Sequence, residues 1–402
     1  MRILGVGRKI ILRVIEAYKL NVAIVGTTAS SLIGFRTGLI KSLASQGVKV
    51  YALAIDFDSR TESEVSALGA EPIRYEMSRS GLNPLSAVFN IISLARTLKK
   101  LELDVVFSYF SKPVVLATLA AALAGVKRRI GMLEGLGYAF TEHPGPRKLR
   151  ALLIRHLQVL LYRVSFPFLE CLVFLNPDDP RDLLCRYKLK VKRLQVLDGI
   201  GINLEDFPFC HSSSNPLTFI FVGRLLIEKG VFEFVDAAKL VKADYPEVEF
   251  IALGGIDEEN PGALTKAQLD LLIDQKVLIY PGQVSDVRPW LRQASVFVLP
   301  SYREGLPRST QEAMAIGRAV ITTDVPGCRE TVTDGVNGYI VKPWSAQDLA
   351  EKMKTFISNP DLVQKMGYAS HEIAVSRFDE CRINSTLIEH TIMPSLSATA
   401  GG

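Results

Sequence analysis

Cysteine and histidine are both scarce, with five of each in 402 residues. The cysteines, at 171, 185, 210, 328 and 381, are odd in number, widely spaced and free of any C-x-x-C or Cys/His ligand pattern. That excludes a disulfide framework and a structural zinc site, and predicts a reduced, cytoplasmic chain. Charge of one sign is also in short supply: the formal net charge is only +5. Without a large basic excess or groove-reading motifs, nucleic acid is not expected as a partner. Long apolar runs are missing too. The run Ile10-Ile11-Leu12 is interrupted by Arg13 and Glu16, which excludes a signal-peptide core and a membrane span there. Short-period repeats are absent. The small-residue tail Ser395–Gly402 is expected to be disordered.

What is present is a globular composition, 48% hydrophobic and 22% charged with 29 glycines, in a chain long enough for two domains and a cleft between them. From Asn21 onward, short β-branched runs alternate with helical patterns: strand 22–25, helix 35–46, strand 48–55, helix 84–100, strand 104–108, helix 113–124, and strands 129–133 and 170–175. The rhythm lapses in the Gly/Pro/Ser-rich stretch 199–214 and restarts at Leu217–Val222. Further strands are predicted near 248–253, 277–280, 296–299, 319–322 and 338–341. The expected class is α/β: two Rossmann-like, doubly wound parallel-sheet domains facing each other across a cleft. The boundaries read as an amphipathic extension (1–20), a first domain (21–205), a second domain (206–370), and a C-terminal helix returning to the first domain, with its tail (371–402).

Two segments carry a basic amphipathic pattern. In 1–20, Ile10, Ile11, Val14, Ile15 and Tyr18 share one helical face, with Arg8, Lys9, Arg13 and Lys19 opposite. In 146–168, Leu149, Leu153, Leu157, Leu160 and Val164 share a face, with Arg147, Lys148, Arg155 and Arg163 outside it. Each could lie in a lipid headgroup layer or pack on the protein itself.

Two further segments can carry chemistry. The first, Phe221-Val222-Gly223-Arg224-Leu225-Leu226-Ile227-Glu228-Lys229-Gly230, is a strand exit into a glycine turn and a helix. Amides and the helix dipole at such a junction favour a phosphate, and Arg224 and Lys229 add two cations suited to a diphosphate. The second, Pro300 to Ala313, follows the strand 296–299 and sets Glu304 and Gly305 before a helix that contains Glu312. Glutamates so placed can accept hydrogen bonds from sugar and ribose hydroxyls, and can equally be solvent-facing charges. In the first half, the loop Ser31–Arg36 would face the cleft with Gly34 allowing close approach, and Glu134-Gly135 sits at another strand exit. Asp56-Phe57-Asp58 matches a metal-binding D-x-D only formally, because it ends a strand of the first domain, and it reads as loop chemistry.

The combination of Gly-Arg-Leu-x-x-x-Lys-Gly with Glu-Gly-x-x-x-x-x-x-Glu some 75 residues later resembles the retaining glycosyltransferase family four of the GT-B fold. The resemblance continues through Ala319–Thr323 and Asp334–Gly338 and covers residues 217–360. It implies that Arg224 and Lys229 hold a donor diphosphate, Glu304 the transferred sugar and Glu312 the ribose, with backbone at Gly223, Gly305 and Leu306 lining the donor. Metal and resident cofactor are not implied. The stretch Gly131–Phe140 is similar to the branch that builds capsule, O-antigen and exopolysaccharide on polyprenyl diphosphate carriers. Many family members place His-Gly where Glu134-Gly135 stands, so no histidine role carries over. Glu134 positions an acceptor hydroxyl, assists its deprotonation, or only satisfies loop amides. The implied function is retaining transfer of a hexose-type sugar from a UDP-sugar, or a GDP-sugar, to a lipid-linked saccharide at the inner face of the cytoplasmic membrane. Transfer to a soluble acceptor, a same-fold epimerase or hydrolase, and a non-catalytic nucleotide-sugar binder are the alternatives.

Overall fold

The computed structural model describes residues 20–77, 84–145, 149–212, 215–257, 260 and 262–394. The predicted extension up to residue 19, the tail from 395, and Arg147 and Lys148 lie outside the described residues.

In the first half, β1 (Asn21–Val25), β2 (Lys49–Ala54), β3 (Ala70–Arg74), β4 (Val105–Tyr109), β5 (Arg128–Leu133), β6 (Cys171–Phe174) and β7 (Leu194–Val196) form one parallel sheet, ordered β3-β2-β1-β4-β5-β6-β7. Helices α1 (Ala29–Ser45) and α2 (Ser59–Ala67) cover one face; α3 (Pro84–Lys100), α4 (Ser111–Leu123) and α5 (Leu149–Ser165) cover the other. With both faces covered, central strands are continuous apolar runs, and Val22, Ala23, Ile24 and Val25 are fully buried.

The second half repeats the plan. Strands β8 (Thr218–Val222), β9 (Glu249–Leu253), β10 (Ile279–Gly282), β11 (Val296–Leu299), β12 (Ala319–Thr323) and β13 (Gly338–Val341) are parallel in the order β10-β9-β8-β11-β12-β13. They are flanked by α6 (Val231–Lys242), α7 (Lys266–Asp274), α8 (Arg288–Gln293), α9 (Arg308–Ile316), α10 (Ala346–Ser358) and α11 (Asp361–Arg377). After α11 the chain crosses back: α12 (Glu380–Leu387) lies on α1, where Gly38 leaves room for Glu380 and Asn384. Arg128 and Arg193 then donate to the carbonyls of Thr391 and His390, each at 2.8 Å.

In each sheet the winding reverses once, between β1 and β4 and between β8 and β11. Loops leaving the carboxyl ends of those strands diverge and open a crevice. The second sheet therefore brings the loops after β8 and β11 to one place, and the two motifs lie on these loops.

Some local structure departs from expectation. The edge strands β3 and β7, and helix α2, escape the periodicity reading. Leu194 and Val196 of β7 are exposed, so the strand carries no buried run. Helix α1 starts at Ala29 rather than 35, because the Thr28 side chain accepts from Ser31 N at 3.2 Å and Asp56 Oδ1 from Ala29 N at 2.8 Å. Ser31–Arg36 is consequently helix, not loop. Asp58 caps α2 in a reciprocal box with Thr61, so both aspartates of the formal D-x-D serve helix ends. The leucine face of α5 turns outward: Val159 and Tyr162 pack beneath the helix while Leu149, Leu153 and Leu160 are exposed.

Candidate active site

Glycines let the loops of the crevice approach backbone to backbone. Gly230 adopts φ +75°, and a Cβ there would lie 2.0 Å from the Pro300 carbonyl oxygen. The turn after β8 thus nests on the end of β11, and the short 3-10 turn Ile227–Lys229 is held beside the segment 301–305. From it Lys229 Nζ reaches Glu304 Oε1 at 2.5 Å, across 75 residues of sequence. Ser301 Oγ donates to the same carboxylate oxygen at 2.8 Å, and Glu304 N donates to the Pro326 carbonyl at 3.0 Å. The pair is largely shielded, with side-chain exposures of 25% for Lys229 and 12% for Glu304.

Arg224, five residues before Lys229, is exposed and lines a cavity of about 400 Å³ with Gly223, Gly254, Gly255 and Gln283. A second cavity, about 620 Å³, is bounded by Gly34, Phe35, Arg288, Arg308, Ser309 and Glu312. Val287 lines both. No side chain caps α9 at Pro307, so its first turn presents amide donors and the positive end of its dipole. Within that turn Arg308 Nε donates to Glu312 Oε1 at 3.0 Å. Burial raises the Glu312 carboxyl above the ordinary range, and Arg308 offsets this only in part.

The first domain closes on this loop. Gly305 lies against the backbone of Glu134, so close that a Cβ would sit 2.1 Å from the Glu134 oxygen. Asn176 Nδ2 donates to the Gly305 carbonyl at 2.7 Å while its Oδ1 accepts from Asp179 N at 2.8 Å. Arg303 reaches Asp179 at 2.5 Å and Asp182 at 2.7 Å. Arg308 donates to the Gly34 carbonyl and lies 5.4 Å from the Phe35 ring centre. Leu306 is buried at the same junction.

The Glu134 side chain is ion-paired with Arg36, a guanidinium 3% exposed that sits 4.1 Å over the Tyr109 ring. Burial brings the Arg36 pKa down to about 10, which keeps it charged at neutral pH. Tyr109 is fixed in turn by a 2.9 Å hydrogen bond between its hydroxyl and Ser31 Oγ.

Lys229, Glu304, Gly305 and the Glu134 backbone therefore meet at one point. Gly223 with Arg224, and Gly34 with Glu312, line the adjoining cavities. The motif reading missed Arg308, Arg303 and Asn176. Arg303 and Arg308 lie inside the second motif; Arg303 takes its partner Asp179 from the acidic pair Asp178-Asp179 of the first domain, and Arg308 pairs with Glu312 four residues on. It also passed over His143, whose ring packs edge-on against Tyr302 at 5.7 Å, two residues from Glu304.

Residues 205–372 match the family model described as glycosyl transferases group 1, and residues 22–166 match one described as glycosyl transferase 4-like. The chain is 31% identical to the N,N'-diacetylbacillosaminyl-diphospho-undecaprenol alpha-1,3-N-acetylgalactosaminyltransferase of Campylobacter jejuni, over 85% of this chain and 91% of that protein. It is 27% identical to the UDP-Gal:alpha-D-GlcNAc-diphosphoundecaprenol alpha-1,3-galactosyltransferase of Escherichia coli, over 63% of this chain and 66% of that one. Among solved structures, Anabaena HepE in complex with UDP and glucose superposes with a TM-score of 0.71 at 15% identity, covering 92% of this chain and 99% of that one. The sucrose-phosphate synthase of Thermosynechococcus elongatus gives 0.73 at 17% identity, covering 94% and 100%. Two facing parallel sheets, paired motifs at the second switch point and these relatives agree: the chain belongs to the glycosyl transferases group 1 family and is a glycosyltransferase of the GT-B fold.

Proposed function

We propose that the protein moves a hexose-type sugar from a UDP-sugar, with a GDP-sugar as the other donor class, to a polyprenyl diphosphate-linked saccharide in bacterial surface polysaccharide synthesis. Transfer proceeds with retention of anomeric configuration and without a metal or resident cofactor, at the inner face of the cytoplasmic membrane. The observation that carries this reading is the 2.5 Å pairing of Lys229 with Glu304 at the point where the two domains meet. A cation for the leaving diphosphate and a carboxylate for sugar hydroxyls stand together there. Relatives named for transfer to diphospho-undecaprenol-linked sugars support the acceptor class.

In this mechanism, Glu312 accepts from the ribose hydroxyls. Arg224, Lys229 and the first turn of α9 surround the diphosphate, near backbone at Gly223, Gly305 and Leu306, and Gly34 on the facing helix α1, with open space beside it, allows the donor phosphate to approach closely. The bond between the anomeric carbon and the diphosphate oxygen breaks, and its electron pair leaves on the diphosphate. The acceptor hydroxyl oxygen bonds to the anomeric carbon on that same face and gives its proton to the departing diphosphate oxygen. Glu134, oriented by Arg36, positions the acceptor. Charge stabilisation and positioning supply the rate enhancement.

The test offers radiolabelled UDP- and GDP-sugars with membranes carrying polyprenyl diphosphate-linked glycans, beside a Glu304→Ala control. Label entering the lipid fraction, and lost in the control, is expected. Label passing only to a water-soluble saccharide, or nucleotide binding without transfer from any donor, would overturn the proposal.

A further inference from the structure

Helices α3, α4 and α5 form a single layer over one face of the first sheet. Their sequences hold seven Lys and Arg and not one Asp or Glu. Acidic residues make up 42 of the 402 in the whole chain, so a layer of this size would ordinarily hold several. The outer side of the layer is also apolar. On α5, Leu149, Leu153, Leu157, Leu160 and Val164 recur at helical spacing and are between 36% and 72% exposed. On α3, Val88, Phe89 and Ile92 are exposed, and the same stripe continues into exposed Arg96, Lys99 and Lys100. Leu123, at the end of α4, is 67% exposed. An apolar surface of this extent marks a site of association.

The charge selects the partner. A second copy placed on this face by a two-fold axis would set basic residues against basic residues, which is unfavourable. An anionic lipid surface meets both the leucines and the cations. No helix among the described residues is long and apolar enough to cross a membrane, so the face would lie on the bilayer. Helices α3 and α5 both begin at the carboxyl edge of the first sheet, the edge where Glu134 meets Gly305. The cleft mouth therefore adjoins the apolar face.

We propose that the outer face of α3–α5 is a bilayer-docking surface, with the leucines of α5 and Phe89 entering the boundary between headgroups and acyl chains while Arg96, Lys99 and Lys100 meet lipid phosphates. The assignment deepens the reading of a lipid-linked acceptor and rests on it: seated this way, the cleft opens at the height where a lipid-borne saccharide leaves the bilayer.

The experiment is flotation of the full chain with vesicles of phosphatidylglycerol and phosphatidylcholine in equal parts, or of phosphatidylcholine alone. It is run with wild type, Leu153→Ser/Leu160→Ser and Lys99→Glu/Lys100→Glu, each checked by circular dichroism and by UDP binding. Flotation of wild type with anionic vesicles is expected, falling about tenfold or more in either variant, on neutral vesicles or in high salt. Transfer to a short-chain, water-soluble acceptor should stay at the wild-type rate in both variants, while transfer to acceptor embedded in vesicles falls. Flotation unchanged by both variants overturns the surface. Wild type that stays off vesicles and forms a dimer split by Leu153→Ser/Leu160→Ser overturns it in favour of a second copy. Flotation as expected, with no transfer to either acceptor, leaves the surface standing and removes the acceptor assignment alone.

Discussion

Lys229 and Glu304 hold each other in place at 2.5 Å, with Ser301 adding a second donor to the carboxylate. The ammonium is thus fixed where a leaving diphosphate gathers charge, and its value is greatest in the transition state. Lys229→Ala is expected to lower kcat by about 10²- to 10³-fold while the donor KM changes only a few-fold. Steady-state kinetics decide this, and a rise in KM matching the whole loss would show uniform binding instead. Glu312 poses the opposite balance. Burial raises its carboxyl pKa in the folded protein, so folding favours the protonated form. Its favourable contribution is present below the ordinary carboxylate range and is lost as pH rises through the raised folded value, leaving a net cost at neutral pH. Glu312→Gln is therefore expected to equal or exceed the wild-type Tm at pH 7 and to lose that advantage in acid, while donor KM rises about tenfold. Melting curves across pH, with donor kinetics, test both halves; a Tm well below wild type at neutral pH would contradict the sign.

Two loop glycines make a contrast at the level of elements. Gly230 is left-handed and nests on Pro300 inside the second domain, whereas Gly305 faces Glu134 of the first domain. A Cβ at either would meet backbone oxygen at about 2 Å, but different parts of the molecule would have to give way. Gly230→Ala strains the turn that joins β8 to α6 and is expected to cost about 2–4 kcal/mol of stability. Gly305→Ala strains only the contact between domains. Denaturation should place it within about 1 kcal/mol of wild type, while kcat/KM falls by roughly 10²-fold through misplacement of the sugar-facing loop. Equal stability losses in the two variants would refute this division.

For the molecule as a whole, the cleft is drawn together by charges contributed across it. Arg303 is clamped by Asp179 and Asp182, Arg329 reaches Asp178 at 2.6 Å, and Arg377 reaches Asp198 at 2.8 Å. Asp179 is fully buried, and burial raises its pKa more than Arg303 lowers it. Breaking such a pair from one side typically costs about 3–5 kcal/mol. Here that penalty falls on the closed arrangement, since opening would return Arg303 to water. Asp179→Ala is expected to increase the radius of gyration in small-angle scattering and to lower kcat/KM, with each domain still folded by circular dichroism. A scattering profile identical to wild type would remove the clamp from the mechanism.

The amino-acid sequence by itself determined the doubly wound plan of both halves, because strands buried on two faces must be apolar runs and the helices between them must be periodic. It did not show β3 or β7, whose sheet edges need no such run. Lys229 and Glu304 could be paired through their motifs, since each is tied to a strand exit and the winding order brings those exits together. The partnerships of Arg303 with Asp179, Asn176 with Gly305 and Arg36 with Glu134 were left to tertiary structure, because contacts between separate loops leave no periodic trace. Helix α5 shows the division within one element. Periodicity made a leucine face certain, but whether that face looked inward depended on Val159 and Tyr162, which fill the space over the first sheet and turn the leucines to the outside. Local spacing sets the faces a helix has, and only packing decides which face meets the core.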